Sequence, residues 1–240
     1  MPSQLGCAMG CTFCVSGQGN RARNLTSEEL LELAGAGIAR LDPSRQVEIS
    51  FTGEGEPLLN WKNIQTALAE LKSGRCPALS LRLSLSGFAP AALLDRWNPI
   101  PHVRTRLQVS LHCATQQKRD RFVPRAAPLD ELKAALLAHQ HKFDEVTVNV
   151  VLQAGLTDAD EDLVALLQWV EPSWAVTLNP LLLENGWQVS PRTEFFAEEL
   201  RAAGLDVSSY SNVAREISRQ ALYPHFASKE NRVLIAQDAA

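Results

Sequence analysis

Five short apolar runs separated by helical patterns constrain this chain more than any other feature. QVEISF (46–51), ALSLRLSLS (78–86), RLQVSLH (106–112), EVTVNVVLQ (145–153) and WAVTLNP (174–180) read as strands. In the second, Leu79, Leu81, Leu83 and Leu85 fall on one face. The helical patterns carry start and stop signals. Thr26 followed by Glu29 forms a capping-box pattern ahead of LLELAGAGIARL. Thr157 with Asp160 precedes EDLVALLQWV, and Pro191 suits the first turn of RTEFFAEELRAAG, which ends at Gly204. Repetition at this spacing predicts βα units around a parallel sheet, either doubly wound or barrel-like. With 240 residues and no internal repeat, low-complexity tract or linker, residues 1–240 read as a single domain.

In such folds ligands gather at the carboxyl ends of the strands. Polar, glycine-rich turns recur there. TGEGEPLLN (52–60) follows the first strand, SGFAP (86–90) the second, and the third runs out in Ser110-Leu111-His112-Cys113. The last ends in Asn179-Pro180. A net charge of −4 does not advertise nucleic-acid binding by the whole-protein field, although local basic clusters can still contact phosphates. No apolar run reaches the length of a membrane span, and no signal peptide precedes the first cysteine, so a cytoplasmic, non-membrane protein is expected.

Three of the five cysteines, Cys7, Cys11 and Cys14, lie within MPSQLGCAMGCTFCVSGQGNRARNL. A reducing compartment and an odd count disfavour a disulfide. A structural zinc site wants a fourth ligand, and none lies at finger-like spacing. Three thiolates at x3 and x2 spacing suit three irons of a [4Fe–4S] cluster, leaving the fourth open. Gly6, Gly10 and Gly17 would let the backbone wrap closely around it.

Cys7-x3-Cys11-x2-Phe13-Cys14 resembles the signature of the radical S-adenosylmethionine (SAM) superfamily, in which an aromatic residue also precedes the last cysteine. GCAMGCTFCVSGQGNRARNLTSEEL, GEGEPLLN, LSLSGFAP, VSLH followed by KRDRFVP, and LNP, in that order, are similar to the ribosomal RNA adenine methyltransferase branch. The similarity runs from about residue 3 to about 180, and more weakly to about 222.

The resemblance implies an α/β fold: a partial (βα)6 TIM-like barrel of the radical SAM type, its first strand truncated or short. It implies a [4Fe–4S] cluster on Cys7, Cys11 and Cys14, with SAM chelating the open iron. Gly55 and Glu56 match positions that hold the methionyl amine; Ser84, Ser110 and His112 match positions along the carboxylate and ribose; Asn179 matches another SAM contact. The reaction implied is reductive cleavage of SAM to a 5′-deoxyadenosyl radical, with electrons from a small flavodoxin- or ferredoxin-like donor. Arg23 and Asn24 match a pair that braces the cluster loop, flanked also by Arg21.

The branch's methyl transfer uses two further cysteines. One should lie seven residues before Cys7, which runs off the start of the chain; the other should fall near Ala221 in VAREISRQALYPHF (213–226), and no cysteine follows Cys113. The accessory N-terminal RNA-contacting domain is also absent from these residues. The expectation is therefore a radical SAM enzyme of unidentified substrate. The alternatives are a truncated or divergent ribosomal RNA methyltransferase relative and a non-catalytic cluster-binding homologue. Cys113, at a strand's carboxyl end, is the one catalytic candidate, and Cys76 before Pro77 reads as incidental. Lys118, Arg119, Arg121 and Arg125 form a basic run that would either face solvent or contact RNA phosphates. His102, His139 and His141 read as surface residues.

Overall fold

The computed structural model describes residues 1–14, 16, 22–41, 46–75, 81–87, 94–183 and 186–209, with the backbone alone at 75, 81–87, 181–183 and 186–187. Gly17, Arg21, Cys76, Pro77, Ala221 and the 213–226 stretch lie outside the described residues, as does the side chain of Ser84. In chain order the elements are β1 (Gln4–Leu5), β2 (Arg23–Asn24), α1 (Ser27–Ile38), β3 (Val47–Phe51), α2 (Trp61–Glu70), β4 (Leu81–Gly87), β5 (Val103–Ser110), α3 (Gln116–Phe122), α4 (Leu129–His139), β6 (Glu145–Val151), α5 (Asp160–Trp169), β7 (Ala175–Asn179), β8 (Leu181–Leu183), β9 (Gly186–Gln188), α6 (Thr193–Ala202) and β10 (Asp206–Ser209). Two compact units divide them: one of Met1–Ala8, Gly19–Val109 and Asp130–Val146, the other of Met9–Gln18, Ser110–Leu129 and Thr147–Ala240.

In the first unit β3, β4 and β5 pair in parallel, and Ser84 stands level with Ser50 and Arg106. Alternation along β5 buries Val103, Thr105, Leu107 and Val109, as the two-residue period of a strand requires. Helix α1 starts where the sequence predicts. The Thr26 hydroxyl accepts from the Glu29 amide at 3.2 Å, and the Glu29 carboxylate accepts from the Thr26 amide at 2.8 Å. Leu30, Leu31 and Ala34 then face inward, and α1 lies against α2, which buries Ile64, Ala67 and Leu68. Each such leucine contributes roughly 1.5–3 kcal/mol. Trp97 stacks on Phe143 with ring centroids 6.3 Å apart.

In the second unit β6, β7 and β10 pair in parallel, and β8 and β9 form an antiparallel hairpin. Helix α5 buries Leu163, Leu166 and Trp169, whose Nε1 donates to the Leu129 carbonyl at 3.2 Å. Helix α6 ends in a Schellman turn. Gly204, at φ +88°, donates to the Arg201 carbonyl, and the Leu205 amide reaches back to Leu200.

All five predicted strands form, with shifted ends. The third runs from Val103 and stops at Ser110, so His112 lies beyond it, and the fourth stops at Val151. Residues 206–209 add a parallel partner for β7 that the apolar pattern did not reveal. Two helix-start readings are corrected. Ala159, not Thr157, occupies the N-cap of α5, its amide donating to the Asp162 carboxylate at 3.1 Å. Thr157 Oγ1 instead accepts from the Gln153 amide and donates to the Val151 carbonyl, closing the turn after β6. Pro191 precedes the N-cap Arg192 of α6 rather than opening the helix. Residues 4–5, where the resemblance implies the truncated first barrel strand, form β1, two residues long, which pairs antiparallel with β2 in a ladder separate from the parallel strands.

Candidate functional site

The first unit builds a tight turn from the GEGEP segment. Ser3 and Gln4 donate their amides to the Glu54 carbonyl at 2.8 and 3.3 Å, and the Glu54 carboxylate accepts from the Gly6 amide at 2.6 Å. In return the Gln4 side-chain carbonyl accepts from the Glu56 amide at 2.8 Å. Gly55, at φ +99°, is the contact point. A Cβ there would lie 2.6 Å from Ser3 Oγ and 2.7 Å from Gln4 Cβ, so no other residue fits. Glu56 is buried, and its carboxylate accepts from the Leu58 amide, capping the short 3₁₀ turn Pro57–Asn60. Buried Asn60 donates to the carbonyls of Ser3 and Leu25. The Asn24 side chain accepts from Gln4 and donates to the Leu59 carbonyl, while Arg23 forms a two-pronged pair with Glu29. That guanidinium, with the Thr26 amide second, holds the Glu29 carboxyl down at about 2.

The second unit holds the segment that carries Cys11 and Cys14. Gly10 sits at φ +67°, with its open side toward the Arg125 side chain, and the Cys14 amide closes a turn on the Cys11 carbonyl at 3.1 Å. The Thr12 amide donates to the Phe122 carbonyl at 3.0 Å. Phe13 meets His112 edge to face, ring centroids 5.0 Å apart and planes at 81°. His112 has φ +61°, and the Cys113 amide reaches the Leu111 carbonyl across it at 2.8 Å. That is a γ-turn with a non-glycine residue at its strained centre. The Leu111 and His112 amides both donate to the Asn149 carbonyl, which pins the turn. Burial of the imidazole, with the Arg119 charge second, holds its pKa down at about 3, so the ring is neutral at physiological pH although the residue keeps part of its surface exposed.

Behind this turn, Cys113 is buried, and burial with the Asp162 charge pushes its thiol up to about 12 against Lys118, the Thr115 amide and Arg119. A thiol so protonated is a poor nucleophile. Of the basic run, Lys118 places its ammonium 2.7 Å from both carboxylate oxygens of Asp162. Arg119 is 1% exposed, its Nε donating to the Leu111 carbonyl at 3.3 Å and its Nη1 to the Ala127 carbonyl. Its Nη2 is buried and makes no hydrogen bond within the described residues. Burial lowers its pKa to about 10, against the charges of Asp120, Cys113 and Cys11, so it stays protonated at neutral pH. A run that reads in sequence as a solvated face thus has one member locked in an ion pair and one interred. Glu54 and Gln4 are the residues sequence reasoning missed, and Arg119, read as facing solvent or RNA, is buried. Glu54 carried a signal, since it stands in the same GEGEP turn.

Cys7 belongs to the first unit and Cys11 and Cys14 to the second. None of the three is in a disulfide, and among the described residues no three His, Cys, Asp or Glu side chains form a group that could hold one metal ion. A four-iron cluster binds each thiolate at a different iron, so it does not ask them to converge as a single ion does. The donor set fits such a cluster: three thiols outside any disulfide, glycines Gly6 and Gly10 in the left-handed region, and a buried guanidinium nitrogen of Arg119 with no hydrogen-bond partner among the described residues. Of the residues matched to SAM contacts, Gly55 and Glu56 share one turn in the first unit, and Ser110 and His112 share one strand end in the second. Asn179 ends β7, its amide donating to the Thr177 carbonyl at 3.4 Å, and Ser84 lies in the middle of β4.

The Radical SAM superfamily profile matches residues 1–167. A probable dual-specificity RNA methyltransferase RlmN of Chlorobium luteolum is 33% identical over 221 residues, covering 86% of this chain and 61% of its own length. One from Moorella thermoacetica is 32% identical over 246 residues, covering 96% and 68%. The chain thus spans about two thirds of the length of these relatives. Among solved structures, a radical SAM methyltransferase from Sphaerobacter thermophilus is 28% identical, with a TM-score of 0.73 over 87% of this chain and 64% of that one. SuiB of Streptococcus suis bound to S-adenosylmethionine, 12% identical, shares the fold with a TM-score of 0.57 over 87% of this chain and 49% of its own. The fold class is accordingly the α/β, partial (βα)6 barrel of these proteins.

Proposed function

The chain belongs to the radical SAM superfamily, and on that premise we propose that residues 1–240 act as one core domain that cleaves SAM reductively. Cys7, Cys11 and Cys14 would hold a [4Fe–4S] cluster, which supplies the electron that breaks the sulfonium C5′–S bond into a 5′-deoxyadenosyl radical and methionine. The observation that carries this reading is the disulfide-free cysteine segment, shaped by Gly6 and Gly10 and tethered in each unit by its own anchor. Glu54 holds the Gly6 amide, and Phe122 holds the Thr12 amide.

The protein's own share is positioning. The Gly55 turn would present backbone carbonyls and the Glu56 carboxylate toward the methionyl ammonium, and the strand-end residues Ser84, Ser110, His112 and Asn179 would line the rest of SAM. A neutral His112 can accept or donate one hydrogen bond without adding charge beside the cluster. Phe13 packs on it and excludes water from that edge. A small flavodoxin- or ferredoxin-like protein would supply the electron.

The names of the relatives make RNA the first substrate to assay, with Arg121 and Arg125 as candidate phosphate contacts. Methyl transfer is a separate matter, because no cysteine follows Cys113 in these residues to carry a methyl group. The test is anaerobic reconstitution with iron and sulfide, then reductant and SAM, with and without ribosomal RNA. 5′-Deoxyadenosine is the expected product. A reducible cluster with no cleavage would favour a non-catalytic cluster-binding protein, and a Cys11→Ala variant retaining its full iron and sulfide would remove the cluster assignment.

A further inference from the structure

Arg119 is the most unusual charge in the second unit. Its residue is 1% exposed, two of its nitrogens are spent on the carbonyls of Leu111 and Ala127, and Nη2 is buried with no hydrogen-bond partner among the described residues. A guanidinium interred with a donor unsatisfied is a costly arrangement, normally kept only where an anion completes it. Among the described residues no carboxylate hydrogen-bonds that nitrogen. Asp162, the nearby buried acid, is already committed to Lys118 on both oxygens.

What adjoins Arg119 instead is the cysteine segment. Helix α3, which carries it, ends at Phe122, whose carbonyl accepts the Thr12 amide one residue after Cys11. Besides the charges of Asp120 and Cys113, which act on the guanidinium more strongly, that of Cys11 also reaches it. The Leu111 carbonyl that Nε holds belongs to the γ-turn whose central His112 packs on Phe13, next to Cys14. The carboxyl end of a helix carries partial negative charge and would repel an anion beside it. An iron–sulfur cluster with three thiolates is an anion, and reduction makes it more so.

We infer that Arg119 is the buried counter-charge of the cluster, a positioning residue whose Nη2 is held ready for the Cys11 corner. The inference rests on the cluster assignment proposed above. Cys11 forms no disulfide. With iron bound it is a thiolate, and a charge-assisted N–H···S contact closes the unsatisfied donor. Because the positive charge favours the reduced state, Arg119 raises the cluster's reduction potential. Its Nε contact holds the Leu111 carbonyl of the γ-turn in the same act, which ties the orientation of His112 to the electrostatics of the cluster.

The test uses the full chain, reconstituted anaerobically, as wild type, R119Q and R119K. Iron and sulfide content and the midpoint potential from an EPR-monitored titration are read, independently of SAM cleavage. R119Q is expected to be about tenfold harder to reduce, a midpoint lower by about 59 mV for a one-electron couple. R119K, which keeps the charge without the fork, should shift by less than half of that. An R119Q protein with wild-type iron content and midpoint would overturn the inference while leaving the cluster assignment intact. Wild-type protein that takes up no cluster would overturn both. Should R119Q fail to fold, the guanidinium ¹⁵N resonances of the wild type are followed instead, with R119K supplying the assignment. A shift of the Arg119 signal on cluster loading is expected, and an unchanged signal overturns the inference.

Discussion

The Glu54 carboxylate accepts a hydrogen bond from the Gly6 amide at 2.6 Å, one residue before Cys7. The backbone leading into the first cysteine is thereby fixed by a charged acceptor on another loop. Hydrogen bonds to a charged group contribute roughly 1.5–3 kcal/mol. E54A is expected to destabilise the apoprotein by about 2 kcal/mol in chemical denaturation and to lower iron retention after reconstitution. E54Q, which keeps an acceptor at the same place, should lose less than half as much.

Gly55 tests the same turn from the other side. A methyl group there meets Ser3 Oγ at 2.6 Å and the Gln4 Cβ and Cγ at 2.7 and 2.8 Å, on a backbone at φ +99°. Overpacking and left-handed strain each cost about 1–3 kcal/mol. G55A should lower the unfolding free energy by about 2–5 kcal/mol and weaken SAM binding, measured by equilibrium dialysis with the reconstituted protein. A G55A protein of wild-type stability would show that Ser3 and Gln4 yield without cost.

Local signals proved legible and long-range ones did not. The capping box at Thr26 and Glu29 and the five apolar strands follow from spacing alone, because their physics lies within a few residues. The strand at 206–209 did not show, since DVSS is short and half polar and forms only because β7 offers it an edge. Thr157 has the composition of a helix cap but spends its hydroxyl on the turn before it. Of the site, the cysteine segment and the GEGEP turn were readable as motifs. The burial of Arg119 was not, because in a run of charges nothing local distinguishes the one residue that folds inward.

Lys118 and Asp162 form a part-buried ion pair, the carboxylate side chain 7% exposed and the lysine 28%. The same carboxylate caps the amide of Ala159. D162A leaves the Lys118 ammonium only the more distant Glu161 carboxylate, 3.6 Å away, and loses the cap, and should cost about 2–4 kcal/mol of stability. K118Q, by contrast, should leave affinity for ribosomal RNA unchanged in filter binding, because the wild-type ammonium is already neutralised. A tenfold loss of RNA affinity in K118Q would place Lys118 at the phosphate backbone after all.

His112 sets an acid-side dependence. Its folded pKa, about 3, lies below the ordinary value of 6.5, with burial as the main cause and the Arg119 charge second. Between these values the unfolded chain holds a proton on this ring and the folded chain does not. Stability therefore rises with pH across that window. The contribution is complete above pH 6.5 and is lost progressively as pH falls toward 3, with a slope of at most about 1.4 kcal/mol per pH unit. H112N removes the titrating group and tolerates the left-handed backbone. Denaturant midpoints of apoprotein at pH 7, 6, 5 and 4 should fall more steeply in wild type than in H112N; parallel curves would mean that the imidazole titrates normally.

The cysteines differ enough in environment to be told apart chemically. Cys113 is buried, with its thiol pushed up to about 12 by burial and the Asp162 charge, and Cys11 is also buried, whereas Cys7 and Cys14 are partly exposed. Alkylation needs both access and thiolate, and each factor disfavours Cys113. In native apoprotein at pH 8, iodoacetamide should label Cys7 and Cys14 first, Cys11 more slowly and Cys113 at least a hundredfold more slowly than in denaturant, read by peptide mass spectrometry. Cluster loading should then protect Cys7, Cys11 and Cys14 together and leave the slow rate at Cys113 unchanged. Protection of only two of the three would contradict the three-thiolate assignment. Rapid native labelling of Cys113 would mean that its thiol is neither enclosed nor held protonated, and would reopen it as a nucleophile.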